Sequence, residues 1–224
     1  MIEAVVFDMD GVLTDTARYH FLAWKQLAAS IGIRIDEAFN EQLKGISRLD
    51  SLERILAYGG RSADFTEKEK MELASNKNAN YRHLIAAITS DDLLPGIAEF
   101  LHELKEAGIK TGLASASRNG PYLLEKLAIA NRFDTLVDPE KLKKGKPDPE
   151  IFATAVRQLK AAPSKSVGIE DAVAGVQSIR SAGLFAVGVG VPVEAGANWL
   201  VSSTANLTLD ELKRRFDQER NHQQ

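Results

Sequence analysis

The sequence contains no cysteine. That absence excludes disulfide bridges, thiolate metal sites and a cysteine nucleophile. Charge of one sign is not in excess either, because 28 Lys and Arg stand against 31 Asp and Glu, a net charge of −3 that implies no polyanionic partner. No hydrophobic run is long enough to span a bilayer, and the N-terminus shows no signal-peptide pattern. We therefore expect a cytoplasmic protein, taken to be a monomer, that binds neither nucleic acid nor membranes.

The residues that are abundant indicate a folded α/β protein. Hydrophobic residues make up 44% of the 224 residues, enough for a sizeable core. From residue 91 onward, predicted strands alternate with predicted helices, one of them from Pro121 to about Ala130. This alternation predicts a parallel sheet with helices on both faces. Between residues 16 and 89 only helical periodicity is present. We therefore predict a Rossmann-like three-layer core of residues 1–14 and 90–224, with an all-helical insert of residues 15–89.

Two carboxylates follow the first predicted strand, an apolar run from Ala4 to Phe7. Asp8 and Asp10 are separated by one residue, so in extended chain their side chains point the same way. Carboxylates held close together repel each other unless a cation compensates them. With ligands that are all oxygen, the cation is expected to be Mg²⁺. The alternative is that both residues merely close the strand as part of a turn.

Polar residues also follow two other predicted strands. The strand from Ile109 to Ala114 is followed by Ser115, whose hydroxyl and neighbouring N–H groups before a helix start suit a phosphate. An ordinary serine helix cap is the alternative. The strand from Ser166 to Ile169 is followed by Glu170 and Asp171. These two acids either extend the predicted Mg²⁺ site or are simply acidic residues of the kind that is favoured at a helix N-terminus.

One lysine lies in an unusually stiff context. Lys146 stands in the sequence Gly-Lys-Pro-Asp-Pro, where two prolines restrict the backbone. A fixed ammonium group would offset both the carboxylates and an incoming phosphoryl group. The alternative is a solvated surface lysine.

These four motifs, taken in their order along the chain, resemble those of the haloacid dehalogenase (HAD) superfamily of phosphotransferases. The resemblance implies that Asp8 is the nucleophile, which becomes an aspartyl-phosphate, and that Asp10 is the general acid/base. It implies that Ser115 and Lys146 stabilise the transferring phosphoryl group. The metal ligands that it implies for Mg²⁺ are Asp8, Asp10, Glu170 and Asp171.

The helical insert is similar to the caps of the sugar phosphomutases in that superfamily. The similarity rests on Thr-Ala-Arg-Tyr-His-Phe-Leu-Ala-Trp (16–24), Asn-Glu-Gln-Leu-Lys-Gly-Ile-Ser-Arg (40–48) and Asn-Lys-Asn-Ala-Asn-Tyr (76–81). It implies interconversion of β-D-glucose 1-phosphate and D-glucose 6-phosphate. β-D-Glucose 1,6-bisphosphate would be both the intermediate and the activator that phosphorylates the enzyme.

The same similarity suggests how the substrate is held. Arg48 is the candidate for a distal phosphate, because a planar guanidinium suits phosphate oxygens. Thr16 and His20 are four residues apart and share one helix face, where the similarity implies that they couple cap closure to the placement of Asp10. The full set of predicted substrate-binding residues is Thr16, His20, Trp24, Gly45, Ile46, Ser47, Arg48, Ser51, Lys77, Ala116, Ser117, Arg118 and Asn119.

Two other functions use the same residues. A Mg²⁺-dependent sugar-phosphate phosphatase on the same scaffold would transfer the phosphoryl group to water. A sugar-phosphate sensor without catalytic activity would only bind the ligand. The argument against it is the intact set of Asp8, Asp10, Lys146, Glu170 and Asp171.

Overall fold

The computed structural model describes residues 1–222, which form a six-stranded sheet with helices on both faces. All neighbouring strands are parallel, in the order β3-β2-β1-β4-β5-β6. The strands are β1 Ala4–Phe7, β2 Lys110–Leu113, β3 Thr135–Leu136, β4 Ser166–Glu170, β5 Phe185–Val189 and β6 Trp199–Val201.

The central strand β1 is buried on both faces. Val5 and Phe7 belong to one hydrophobic cluster, whereas Ala4 and Val6 belong to another on the opposite face. The ring of Phe7 makes an edge contact with the ring of Phe100, with centroids 6.0 Å apart. Double-sided burial explains why this strand is a continuous apolar run and does not alternate with polar residues.

Five helices cover the sheet in two layers. The first cluster includes side chains of α5, α6 and α9, and the second includes side chains of α7 and α8. Their bounds are α5 Ile97–Glu106, α6 Gly120–Lys126, α7 Glu150–Leu159, α8 Val173–Ser181 and α9 Leu209–His222. The predicted three-layer fold is confirmed. Helix α6 is shorter than predicted and ends at Lys126, two residues before Ala128, which adopts a left-handed φ of 56°.

The helical cap follows the first strand. Its helices are α1 Ala17–Ser30, α2 Glu37–Asn40, α3 Arg48–Tyr58 and α4 Glu67–Leu84. They enclose a hydrophobic cluster of their own, which includes Trp24, Phe39 and Leu52. At the start of α4, Thr66 and Glu69 exchange side-chain to backbone hydrogen bonds in a capping box. The helical cap is confirmed as part of the fold, while the boundaries at residues 14–15 and 89–90 stay a prediction.

The strand register brings the polar ends of three strands together. Phe7 pairs with Leu113 of β2 on one side and with Ile169 of β4 on the other. The backbone N–H of Asp8 donates to the carbonyl of Ile169 at 3.0 Å. The residues that follow Phe7 and Leu113 therefore leave the sheet at the same edge as Glu170, the last residue of β4, and ligands of such sheets bind at this edge.

A membrane-crossing helix is not found among residues 1–222, because none combines sufficient length with sufficient hydropathy. The expected cytoplasmic location and monomeric state stay predictions.

Candidate active site

Asp8 lies at the centre of a buried network of charges. The ammonium group of Lys146 donates to Asp8 Oδ1 at 2.6 Å and to Glu170 Oε2 at 2.6 Å. The backbone N–H of Asp10 donates to Asp8 Oδ2 at 3.0 Å. Burial by itself would lower the pKa of Lys146, but the charges and hydrogen bonds of its two carboxylate partners outweigh burial and raise it. Lys146 is therefore a permanent cation beside the predicted nucleophile.

Three carboxylates cluster around this lysine. Within residues 1–222, oxygen atoms of Asp8, Glu170 and Asp171 all lie within 4.8 Å of one another. Burial, followed by the charge of Asp8, raises the pKa of Glu170 to about 7. Burial and the neighbouring carboxylates hold the pKa of Asp171 well above its usual range. A single lysine does not neutralise three acids, so the cluster fits a divalent cation with oxygen ligands such as Mg²⁺.

Two glycines make room for these carboxylates. A Cβ atom added at Gly11 would overlap the carboxylate of Asp171, and one added at Gly175 would overlap that of Glu170. Glu170 Oε1 also accepts the backbone N–H groups of Asp171 and Ala172, each at 3.2 Å. Both oxygens of Glu170 therefore have protein partners, as do both oxygens of Asp8.

The side chain of Asp10 points toward the cap. Its Oδ1 atom accepts a hydrogen bond from the Thr16 hydroxyl and lies 3.7 Å from His20 Nε2. Burial, with a further contribution from the charge of Asp8, raises the pKa of Asp10 to about 6. A carboxyl with this pKa is suited to accept and return a proton near neutral pH. Its carboxylate is not one of the three that cluster, so its predicted role as a metal ligand stays a prediction.

A buried lysine and a histidine connect Asp10 to helix α4. Lys77 Nζ lies 2.7 Å from His20 Nδ1 and packs over the rings of Trp24 and Tyr81, 4.7 and 4.8 Å from their centroids. Burial lowers the pKa of Lys77 to about 7, against the opposing charge of Asp10. Burial and the neighbouring Lys77 hold the pKa of His20 well below its usual range. A neutral His20 that accepts from Lys77 through Nδ1 carries its proton on Nε2, on the side of Asp10.

The loop after β2 presents hydroxyl and amide groups toward the site. The backbone N–H of Ser117 donates to Ser115 Oγ at 3.1 Å, and that of Asn119 donates to Ser117 Oγ at 3.2 Å. Asn119 Nδ2 donates to Asn78 Oδ1 of helix α4 at 3.0 Å. This last bond joins the core loop directly to the cap.

The start of helix α3 places a cation at the cap edge. Ser47 caps the helix by accepting from the backbone N–H of Asp50 at 3.2 Å, and Arg48 is the first helical residue. Arg48 Nη1 donates to the carbonyl of Ala74 at 3.4 Å. A Cβ added at Gly45 would lie 3.1 Å from the Ala172 side chain, so the cap loop and the core are in contact here. Arg48 thus lines the pocket from the cap.

Comparisons with known proteins agree with this geometry. The family model of the haloacid dehalogenase-like hydrolases matches residues 2–183. The chain belongs to this family. It is 52% identical to the β-phosphoglucomutase of Bacillus subtilis (strain 168), over 98% of this chain and 97% of that protein. It is 33% identical to a phosphorylated carbohydrates phosphatase of Thermotoga maritima, over 82% of each chain.

A solved structure shows the same fold within the haloacid dehalogenase-like hydrolases. The β-phosphoglucomutase of Clostridium difficile superposes with a TM-score of 0.95 at 47% identity, covering 98% of this chain and 99% of that one. The family resemblance inferred from the motifs is therefore confirmed.

The structure brings the predicted residues to one pocket between cap and core. Most of them line it, and the remainder, which do not line it but are buried except for Ser47, are Thr16, Ser47, Ser115, Asn119, Lys146 and Glu170. Their individual roles in this haloacid dehalogenase-like hydrolase stay predictions. The sequence analysis did not select five further lining residues, which are Ala17, Asn40, Leu43, Lys44 and Asn78. All five lie within the cap segments that carried the resemblance, so membership of those segments was an available signal.

Proposed function

We propose that this protein interconverts β-D-glucose 1-phosphate and D-glucose 6-phosphate. The observation that carries the proposal is a second cationic centre: Arg48 on the cap lines the same pocket as Asp8, whose own cationic partner is Lys146. A substrate with a phosphate at each end requires two such centres, whereas hydrolysis of one phosphate requires a single centre. The 52% identity to a β-phosphoglucomutase over nearly the whole chain supports this choice.

The proposed reaction begins from an enzyme phosphorylated on Asp8. A hydroxyl of the bound sugar phosphate attacks the phosphorus, and the bond between phosphorus and the Asp8 oxygen breaks. Asp10 takes the proton of the attacking hydroxyl. The products are free Asp8 carboxylate and β-D-glucose 1,6-bisphosphate, with the sugar's other phosphate held near Arg48.

The second half of the proposed reaction reverses these steps on the other end of the sugar. The bisphosphate turns around, the Asp8 carboxylate attacks the phosphate now beside it, and Asp10 returns its proton to the departing sugar oxygen. The net result is that phosphate moves between O1 and O6 while Asp8 ends phosphorylated again. β-D-Glucose 1,6-bisphosphate from solution would prime the cycle by the same step.

The charge of the transferring group is offset from the protein side by Lys146. Asp8, Glu170 and Asp171, with Asp10 as a further predicted ligand, would hold Mg²⁺. When bound there, Mg²⁺ neutralises charge on the phosphoryl oxygens. Lys146 keeps its position because two carboxylates accept from it inside the buried network.

The cap supports transfer to a sugar by excluding water. An aspartyl-phosphate open to solvent would hydrolyse, and a closed pocket prevents that side reaction. The contacts from Asp10 to Thr16 and from Lys77 to His20 join the acid/base to the cap. Asp10 would therefore reach its catalytic position as the cap closes over the pocket.

The deciding experiment is a product assay with Mg²⁺, β-D-glucose 1-phosphate and a trace of β-D-glucose 1,6-bisphosphate. We expect many molecules of D-glucose 6-phosphate to form per enzyme molecule, with little release of inorganic phosphate. Asp8→Asn should give neither product, because it removes the nucleophile. Stoichiometric release of inorganic phosphate without D-glucose 6-phosphate would instead establish the phosphatase, a candidate that the 33% identical phosphatase of Thermotoga maritima favours.

A further inference from the structure

A surface ion pair stands beside the cap edge of the pocket. Arg118, a lining residue from the loop after β2, places Nη1 2.5 Å from Glu140 Oε1. Both side chains are about half exposed, at 57% and 52%. An exposed pair of this kind contributes little to folding stability, but Arg118 lines the pocket, where the pair can act on a bound ligand.

The backbone around Glu140 is well fixed. Glu140 lies in a short 3₁₀ turn, Pro139–Lys141, that follows β3. Asp138 caps this turn, because its Oδ1 accepts the backbone N–H of Glu140 at 3.1 Å, and its Oδ2 lies 3.4 Å from Lys141 Nζ. The turn therefore holds the Glu140 carboxylate beside Arg118.

The carboxylate also acts on the cation of the cap. Burial lowers the pKa of the Arg48 guanidinium, the neighbouring Arg118 lowers it further, and Glu140 opposes both. Arg48, Arg118 and Glu140 thus form one electrostatic group, in which a single negative charge cancels one of two positive charges. A phosphate dianion that approaches the two guanidinium groups would meet the repulsion of Glu140.

We propose that Glu140 competes with the distal phosphate of the substrate for Arg118 and so limits how tightly that phosphate is held. This inference rests on the proposed function, because it assumes that a distal phosphate binds between Arg48 and Arg118. Glu140 touches neither Asp8 nor the lysine beside it and acts only through the two guanidinium groups. A bisphosphate that must turn around within the cycle benefits from a hold that is not too strong, since stronger binding of every bound state does not accelerate the chemical step.

The test compares Glu140→Gln with wild type by calorimetric titration of inorganic phosphate and of D-glucose 6-phosphate. We expect both ligands to bind about two- to five-fold more tightly to Glu140→Gln at low salt. The gain should shrink at high ionic strength, because screening weakens the interaction of exposed charges. In turnover, KM for β-D-glucose 1-phosphate should fall while kcat does not rise. Glu211→Gln is the matched control, because it removes a carboxylate that is paired with two arginines on α9.

A second background isolates the role of Arg118. In the Arg118→Ala background, Glu140→Gln should raise the ligand affinity by at most half as much, on a logarithmic scale, as it does in the wild-type background. An unchanged or weaker affinity in Glu140→Gln, or the full gain in Arg118→Ala, would overturn the proposal. If D-glucose 6-phosphate binds no variant while inorganic phosphate shows the gain, the proposed substrate is wrong, and Glu140 limits phosphate binding at Arg118 in an enzyme with another substrate. If wild type is an active mutase but neither ligand gains affinity, only the role of Glu140 is wrong.

Discussion

Gly11 illustrates how one residue without a side chain keeps the acidic cluster intact. It follows Asp10 directly, adopts a φ of +73°, and leaves no room for a Cβ beside the carboxylate of Asp171. The positive φ permits the turn after β1, and the missing side chain permits the close approach of Asp171. These two requirements are independent, and substitutions can separate them.

We expect Gly11→Ala to weaken Mg²⁺ binding and activity by at least ten-fold and to destabilise the fold by about 1–3 kcal/mol. Gly32→Ala is the matched control, because Gly32 has a φ of +75° and nothing within 4 Å of an added Cβ. It should show only the cost of the strained backbone, about 1–2 kcal/mol. Urea unfolding and Mg²⁺ titration measure the two effects. Equal losses of Mg²⁺ affinity in both variants would contradict the steric explanation.

Substitution of Asp10 tests its assignment as the general acid/base. Asp10→Asn should lower kcat by about 10²–10⁴-fold, because an amide does not take up and return the proton. The fold should be retained, since the amide oxygen still accepts from the Thr16 hydroxyl, which now bonds the carboxylate. The rate of D-glucose 6-phosphate formation provides the measurement, with thermal unfolding as the control. A variant with wild-type kcat would show that another group moves the proton.

Helices α3 and α4 of the helical cap both begin with an N-cap side chain, but only the start of α3 lies at the pocket. Ser47 caps α3, whose first residue is Arg48. Thr66 caps α4 through the capping box with Glu69, and neither residue lines the pocket. An N-cap residue fixes the first turn of its helix. Both N-caps should therefore stabilise the fold to a similar extent, whereas only the N-cap of α3 should affect substrate binding.

Removing either cap should lower the free energy of unfolding by about 1 kcal/mol. Ser47→Ala should in addition raise KM for β-D-glucose 1-phosphate several-fold, because Arg48 loses its fixed position at the helix start. Thr66→Ala should leave KM unchanged. Chemical unfolding and steady-state kinetics on both variants provide the comparison. Identical KM values in the two would mean that Arg48 does not depend on its helix cap.

At the scale of the whole molecule, the crowded carboxylates couple stability to pH and to metal. The folded structure raises the pKa of Asp10 to about 6, that of Glu170 to about 7 and that of Asp171 well above its usual range, with burial as the main cause in each. The unfolded chain has ordinary carboxyl pKa values near 4. Because the folded pKa values are the higher ones, this contribution to stability is complete below about pH 4 and is lost as the pH rises through the folded values.

A metal ion should restore the stability that is lost on ionisation. We expect the rise in Tm on adding Mg²⁺, relative to EDTA, to be larger at pH 8 than at pH 5.5. Binding at one hundred times the dissociation constant stabilises a protein by about 2.7 kcal/mol. Asp171→Asn should lose most of this increment. An equal rise at both pH values would show that Mg²⁺ does not bind where the carboxylates ionise.

Sequence patterns were sufficient for the fold and for the list of residues near the site. The apolar run of β1 and the alternation of strands and helices predict a parallel sheet, and the carboxyl ends of parallel strands share one edge. This rule alone places Asp8, Ser115 and Glu170 at one edge of the sheet, whereas only the structure shows that β2 and β4 are the two neighbours of β1. The capping box at Thr66 is equally local, and the structure contains it.

Directions of side chains and contacts across the pocket required the tertiary structure. The spacing of Asp8 and Asp10 predicts that both face one metal, yet the Asp10 side chain bonds to Thr16 of the cap. Lys77 reaches His20 across 57 residues of sequence. Periodicity and spacing describe neighbours along one element, whereas these contacts depend on how the cap packs on the core. The sequence by itself therefore determined the fold and the family, while the packing of cap against core decided which cations and hydrogen bonds meet each carboxylate.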